Sequence, residues 1–240
     1  EILSRGMPPH AVMTVLVDRE DNLWAGFDSG GVVLVPRSPF TSFTAADGIG
    51  SGDAFYLQRD HVRGGMWVGT RNGGLAHVRG ATVRPLNEAT GLPSNRVRGL
   101  FQSRSGDLLI GTANGIAVLD TRDRLRTIRP SCGLQFRTFL EYPEGVVWAG
   151  SQDGALIRWQ DGRVECLDAT ALPRPLPVLA MVAHEGQILL GTRKGAFVVN
   201  PEGGLSGPLC NGADVRDFDV DGQGALWAAT FTGGAWRLLQ

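Results

Sequence analysis

An all-β propeller of six four-stranded antiparallel blades is predicted by three features of this sequence. A short apolar segment ending in a small residue recurs about every 40 residues, glycine supplies 34 of 240 residues at regular intervals, and helical periodicity is weak throughout. The copies are Leu23-Trp24-Ala25-Gly26, Met66-Trp67-Val68-Gly69, Leu108-Leu109-Ile110-Gly111, Val147-Trp148-Ala149-Gly150, Ile188-Leu189-Leu190-Gly191 and Leu226-Trp227-Ala228-Ala229. Their anchors Gly26, Gly69, Gly111, Gly150, Gly191 and Ala229 are 43, 42, 39, 41 and 38 residues apart, the length of one blade.

Each anchor sits in the same frame. An apolar first strand precedes it, as at 12–18, 97–103 and 178–184, followed by a short turn such as Arg104-Ser105-Gly106-Asp107. The anchor strand is apolar on both faces, as expected of a sheet sandwiched between neighbours. A turn ending at Gly30, Gly73, Gly115, Gly154, Gly195 or Gly233 leads to a third strand, as at 116–120 and 196–200. A more polar fourth strand closes the unit, as at 82–87 and 125–130. Short strands joined by tight turns make an antiparallel meander, and a meander that is apolar on both faces must stack. Residues 1–240 are therefore expected to form a single propeller domain. Glu1-Ile2-Leu3-Ser4 matches a fourth strand and the segment from Trp236 matches a third, so the N-terminal strand is expected to complete the last blade and close the ring.

Composition excludes several classes. With 42% hydrophobic and 20% charged residues the chain can bury a large core, and a net charge of −1 argues against nucleic acid or a membrane surface as partner. No apolar run of 18 residues occurs, so this chain carries no membrane segment, and its start does not resemble a leader peptide, which an exported protein would already have lost. Cys132, Cys166 and Cys210 show no C-x-x-C spacing. Three unlinked thiols are one expectation; one disulfide plus a free thiol is the other, if the compartment is oxidising.

The run Gly91-Leu92-Pro93-Ser94-Asn95-Arg96-Val97, followed by Ser105-Gly106-Asp107-Leu108 and Gly111-Thr112-Ala113-Asn114-Gly115, resembles the two-component regulator propeller repeat. Gly48-Ile49 with Trp67-Val68-Gly69-Thr70-Arg71-Asn72-Gly73-Gly74-Leu75 is similar. The likeness spans the chain and loosens in the last two units, where Ala171-Leu172-Pro173 replaces the Gly-Leu-Pro start and Ala229 replaces the anchor glycine. The resemblance implies a periplasmic, ligand-sensing module, not itself catalytic. It also implies a full-length protein that adds a β-sandwich, a membrane helix and a histidine kinase, hybrid two-component or diguanylate cyclase region. That family often has seven-bladed propellers, sometimes in pairs, so six units depart from its pattern, and six units of a seven-bladed or double propeller are the alternative to a closed six-bladed ring.

No catalytic constellation and no cofactor site stand out. His10, His61, His77 and His184 are dispersed over several units and frame positions, which argues against a histidine-rich metal site. The first strands end on Asp18, Asp60, Ser103, Tyr142, His184 and Asp221. Three carboxylates there would suit a divalent cation, but an aspartate before a glycine turn more often caps its own backbone. At the opposite blade end, the loop entering the first strand and the loop between the second and third strands emerge together. They carry Arg71, Asn72, Asn95, Arg96, Asn114, Arg137, Gln152, Arg193 and Arg216, the candidate ligand-binding residues. Guanidinium groups bind carboxylate or sulfate bidentately, so an anionic small molecule is one expected ligand, and the repeat resemblance implies an oligosaccharide as the other. Phe231 and Trp159 offer a stacking surface for a sugar, or else inter-blade core. The bland alternative makes these arginines solvated turn residues paired with Asp28, Asp53, Asp153 or Asp214. The functional alternatives are an enzyme of the lactonase or streptogramin-lyase kind and a protein-interaction scaffold, which fold alone does not separate.

Overall fold

The computed structural model describes residues 10–19, 21–35, 41–50, 53–167, 176–200 and 204–238. Among them the chain forms six antiparallel meanders, five four-stranded and one three-stranded, as the repeat predicts. It divides into two compact units, one running to Ile128 and the other from Arg129, with Ser103–Ser105 belonging to the second.

The first unit holds three blades. Blade A is β1 (Val12–Val17), β2 (Leu23–Phe27), β3 (Val32–Val35) and β4 (Thr41–Phe43). Blade B is β5 (Ala54–Arg59), β6 (Met66–Thr70), β7 (Leu75–Arg79) and β8 (Thr82–Leu86), and blade C is β9 (Val97–Gln102), β10 (Leu108–Thr112), β11 (Gly115–Leu119) and β12 (Leu125–Ile128). Alternation aims Trp24, Val32, Leu16 and Leu34 of blade A at Met66, Val68, Ala76 and Val78 of blade B, and these make one core. The other face of blade B sends Trp67, Leu75 and Leu86 against Leu108, Ile110, Ala117 and Leu119 of blade C.

The second unit repeats the scheme. Blade D is β13 (Phe136–Glu141), β14 (Val146–Ser151), β15 (Leu156–Gln160) and β16 (Arg163–Leu167), and blade E is β17 (Val178–His184), β18 (Gln187–Thr192), β19 (Gly195–Val199) and β20 (Leu205–Leu209). Blade F has β21 (Val215–Val220), β22 (Leu226–Thr230) and β23 (Ala235–Leu238). Leu156 of blade D packs with Ile188, Leu190 and Phe197 of blade E, and Ala196 of blade E packs with Val215 and Ala228 of blade F. The strand expected to complete blade F, from Glu1–Ser4, lies outside the described residues, as does Ala171-Leu172-Pro173.

The anchor glycines mark where one blade touches the next. A Cβ on Gly69 would lie 2.7 Å from Val97 Cγ1, and one on Gly150 would lie 2.6 Å from Val178 Cβ, a branch point that cannot rotate away. Ala229 keeps its methyl because it is exposed among the described residues. Gly150→Ala is expected to cost about 1–3 kcal/mol through overpacking, whereas Ala229→Gly should cost less than about 1 kcal/mol. Urea titration of both variants checks the contrast, and equal losses would contradict it.

The Gly-Leu run has a physical role too. Asn87 Oδ1 accepts from Thr90 N while Thr90 Oγ1 accepts from Asn87 N, capping a single 3-10 turn over Glu88–Thr90. Gly91 leaves that turn at φ 106°, which a side chain would resist, and so delivers Leu92 into the core. Thr44, Asp47, Gly48 and Ile49 build the same device one blade earlier.

Of the two cysteine expectations, the disulfide plus free thiol is the one found. Cys132, between β12 and β13, is bonded to Cys166 on β16, and Cys210 is a buried free thiol whose pKa burial pushes up.

Candidate functional site

The first strand of every blade carries a β-bulge at its second residue. Pairing skips Met13, Phe55, Arg98, Arg137, Leu179 and Arg216, each lying between two regular register steps. A bulge re-aims its side chain. One backbone bond then fixes what that side chain meets. The amide of the first residue after the anchor strand donates to the carbonyl just before the first strand. It does so from Asp28 to Ala11, Arg71 to Asp53, Ala113 to Arg96, Gln152 to Gln135 and Phe231 to Asp214, all at 2.8–3.0 Å. Bulge residue and loop residue therefore stand side by side at one end of the blade.

Two blades fill this corner with the same three side chains. In blade B the Arg71 guanidinium lies 5.2 Å from the centroid of the Phe55 ring and 3.3 Å from Asp53. In blade F the Arg216 guanidinium lies 4.7 Å from the centroid of Phe231 and 2.7 Å from Asp214. The aspartate occupies the same frame position in both. Arginine and phenylalanine have exchanged places: the loop supplies arginine and the bulge phenylalanine in blade B, and the reverse holds in blade F. In blade D the corner pairs Arg137 with the Gln152 side chain at 2.9 Å.

The other candidate residues are placed less favourably for a ligand. Asn95 is clamped to Glu88, its side chain accepting from Glu88 N at 2.8 Å while its own amide donates to Glu88 Oε1 at 2.7 Å. Asn114 donates from Nδ2 to the Pro93 carbonyl at 3.3 Å and so braces the entry loop of blade C. Asn72, Arg96 and Arg193 are exposed on their loops. In the first unit Arg71 is thus the best-organised candidate, and in the second Arg137 and Arg216 are. Phe55 was not among the sequence candidates, since the bulge hides it within an ordinary strand pattern. Phe231 is 70% exposed and so lies outside the packed core.

At the opposite blade end the aspartates cap their turns. Asp18 accepts from Asn22 N at 2.9 Å and from Trp24 Nε1 at 2.8 Å, and Asp221 accepts from Gln223 N, Ala225 N and Trp227 Nε1, each at 2.9 Å. The Trp227 and backbone donors hold the Asp221 carboxyl below its usual pKa. Asp60 is engaged more heavily still, by a buried network within the first unit. Among the described residues no three His, Cys, Asp or Glu side chains are grouped to hold a metal ion.

No protein-family model matches the chain, and no curated protein matches it. Solved structures do. The extracellular domain of the hybrid two component system BT3049 from B. thetaiotaomicron superposes with a TM-score of 0.79 at 18% identity, over 97% of this chain and 34% of that one. The extracellular domain of the hybrid two component system BT4673 from the same organism gives 0.67 at 16% identity, over 96% of this chain and 38% of that one. Virginiamycin B lyase from Staphylococcus aureus gives 0.72 at 12% identity, over 94% of this chain and 80% of that one. The chain therefore spans little more than a third of the two-component domains it matches. At these identities the likeness is one of fold: an all-β propeller, found both in extracellular domains of two-component systems and in streptogramin lyases.

Proposed function

We propose that this chain is the ligand-binding propeller of a bacterial extracytoplasmic sensor, not itself catalytic. In the full-length protein it would be joined to a β-sandwich, a membrane helix and a kinase or cyclase region. The observation that carries the reading is the Asp–Arg–Phe corner, assembled twice from exchanged positions. Folding does not demand it, since the same two positions hold Met13 with Asp28 in blade A and Leu179 with Arg193 in blade E. The Cys132–Cys166 bond supports an oxidising, extracytoplasmic compartment. The similarity to extracellular two-component domains supports the sensor role.

The corner also favours one ligand class. Arg71 and Arg216 are each paired with an aspartate, so their charge is largely balanced and an anion gains less from them. A flat aromatic face beside guanidinium and carboxylate groups suits a sugar ring, which stacks its C–H face and hydrogen-bonds through its hydroxyls. An oligosaccharide is therefore the preferred ligand over a small anion. Calorimetric titration with neutral and uronic-acid oligosaccharides tests this. Phe231→Ala should lose about tenfold in affinity, about 1.4 kcal/mol, with an unchanged melting temperature because the ring is exposed. Equal binding by the variant, or binding only of anions, would overturn the reading. Turnover of a cyclic ester or depsipeptide by the wild-type chain would favour the lyase alternative, which the virginiamycin B lyase fold keeps in view.

A further inference from the structure

Blade B departs from blades A and F at a position where folding offers a simpler solution. In blades A and F the anchor tryptophan donates its indole N–H to the turn aspartate, Trp24 to Asp18 and Trp227 to Asp221. Blade B has the same two residues, Trp67 and Asp60, yet among the described residues Trp67 Nε1 is buried without a hydrogen-bond partner. His77 has taken the place. It pairs across the sheet with Trp67 on one side and Arg84 on the other, and its ring centroid lies 4.2 Å from that of Trp67. Its Nε2 lies 3.3 Å from Asp60 Oδ2 and 3.0 Å from the Gly64 carbonyl. The position equivalent to His77 holds Leu34 in blade A and Val118 in blade C. A buried donor is thus left unmade to accommodate an imidazole, at a cost an apolar residue would have avoided.

The imidazole sits at the centre of a link between two blades. Asp60, whose side chain is fully buried, accepts from the amides of Val62 and Arg63 at 2.9 Å and from Gln102 Nε2 of blade C at 3.1 Å. Gln102 Oε1 in turn accepts from His61 N at 2.9 Å. Arg63 reaches from Asp60 to the β11–β12 turn of blade C, donating to the Asp120 carbonyl at 2.8 Å and pairing with Asp123 at 3.0 Å. Arg84 pairs with the other oxygen of Asp123 at 3.1 Å.

We infer that this cluster is an acid-releasable latch between blades B and C, with His77 as its sensor. Both neighbours of Nε2 are acceptors, so the neutral ring carries its proton on Nε2 and the second proton must enter at Nδ1. The groups facing the ring are Asp60 and Arg63 from the turn that also carries His61, and Arg84 from β8. Asp123 of blade C reaches the cluster through both arginines. Burial opposes a charge on His77 first. Asp60 and the Gly64 carbonyl favour the charge, Arg63 and Arg84 oppose it, and the outcome lies below the ordinary histidine value. A group whose folded pKa is depressed lends stability above its unfolded value, near 6.5, and loses it as pH falls through the folded value. Acidification therefore loosens the latch, which lies at the end of blade B opposite its proposed sugar corner.

Thermal melting of the full chain between pH 7.5 and pH 5 tests this, with His77→Leu and His77→Gln alongside wild type. Leucine reproduces blade A and frees Asp60 for Trp67; glutamine keeps a donor that does not titrate. Wild type should lose melting temperature over this window, and both variants should lose less. Amide exchange, corrected for intrinsic pH dependence, should show His61, Val62 and Arg63 losing protection at pH 5 in wild type alone. A pH profile in either folded variant that superimposes on wild type would overturn the inference. So would a wild-type latch that keeps its protection at pH 5 while the His77 ring is shown by NMR titration to be protonated.

Discussion

Asp60→Ala should destabilise the protein by about 3–5 kcal/mol, the range for removing one member of a buried charged network. The substitution deprives two turn amides, the Gln102 side-chain amide, His77 and one edge of Arg63 of their shared acceptor. Asp18→Ala removes the same frame residue from blade A, where the bonds are only part-buried, and should cost nearer 1 kcal/mol. Urea titration with unchanged slope measures both. The carboxylate has a pH signature of its own. Burial pushes its pKa up, but hydrogen bonds from Arg63 N, Gln102 and Val62 N and the Arg63 charge more than offset this and hold it below the usual range. Its contribution is therefore present above the unfolded value, near 3.9, and lost as pH falls through the lower folded value. Asp60→Ala should lack that acid-limb loss, and a variant as stable as Asp18→Ala would contradict the network described.

Reduction of the disulfide, or Cys132→Ser, is expected to cost about 3–4 kcal/mol, from the chain entropy of a loop of this length. Cys132 and Cys166 are 34 residues apart. The bond straps the connection leading into blade D onto the outer strand of that blade, and the same connection carries Gln135, whose carbonyl accepts from Gln152 N at 2.9 Å. Loosening it should therefore disturb the Arg137–Gln152 corner as well as stability. Melting with and without reductant measures the first effect. Cys210→Ser should not reproduce it, because that thiol is unpaired and lies in the core between blades E and F.

The repeat made the blades legible because the physics of stacking is repeated with it. Gly69 and Gly150 recur where a first strand crosses too closely for a methyl group, and Asp18 and Asp221 recur where a turn needs an acceptor. The candidate site was legible only in outline. Loop order alone puts Arg71, Arg137 and Arg216 at the blade end where bulge and loop meet. Phe55 was not found, since a bulge one residue into a strand leaves no mark on composition. Asn95 and Asn114 looked available because the carbonyl and carboxylate that occupy them come from sequence-distant residues. Nothing in the sequence shows that His77 displaces an indole hydrogen bond. The pairing of Cys132 with Cys166 depends on a strand order that brings β16 to the outside of its blade.

The exchange of arginine and phenylalanine between blades B and F bears on how such chains are compared. A column-by-column consensus of the repeats would average the two positions to nothing and discard the corner. Its information lies in the joint occupancy of bulge and loop, so relatives that keep the function should preserve the pair while freely permuting its members. Scoring that covariance would find the surface where scoring single columns cannot.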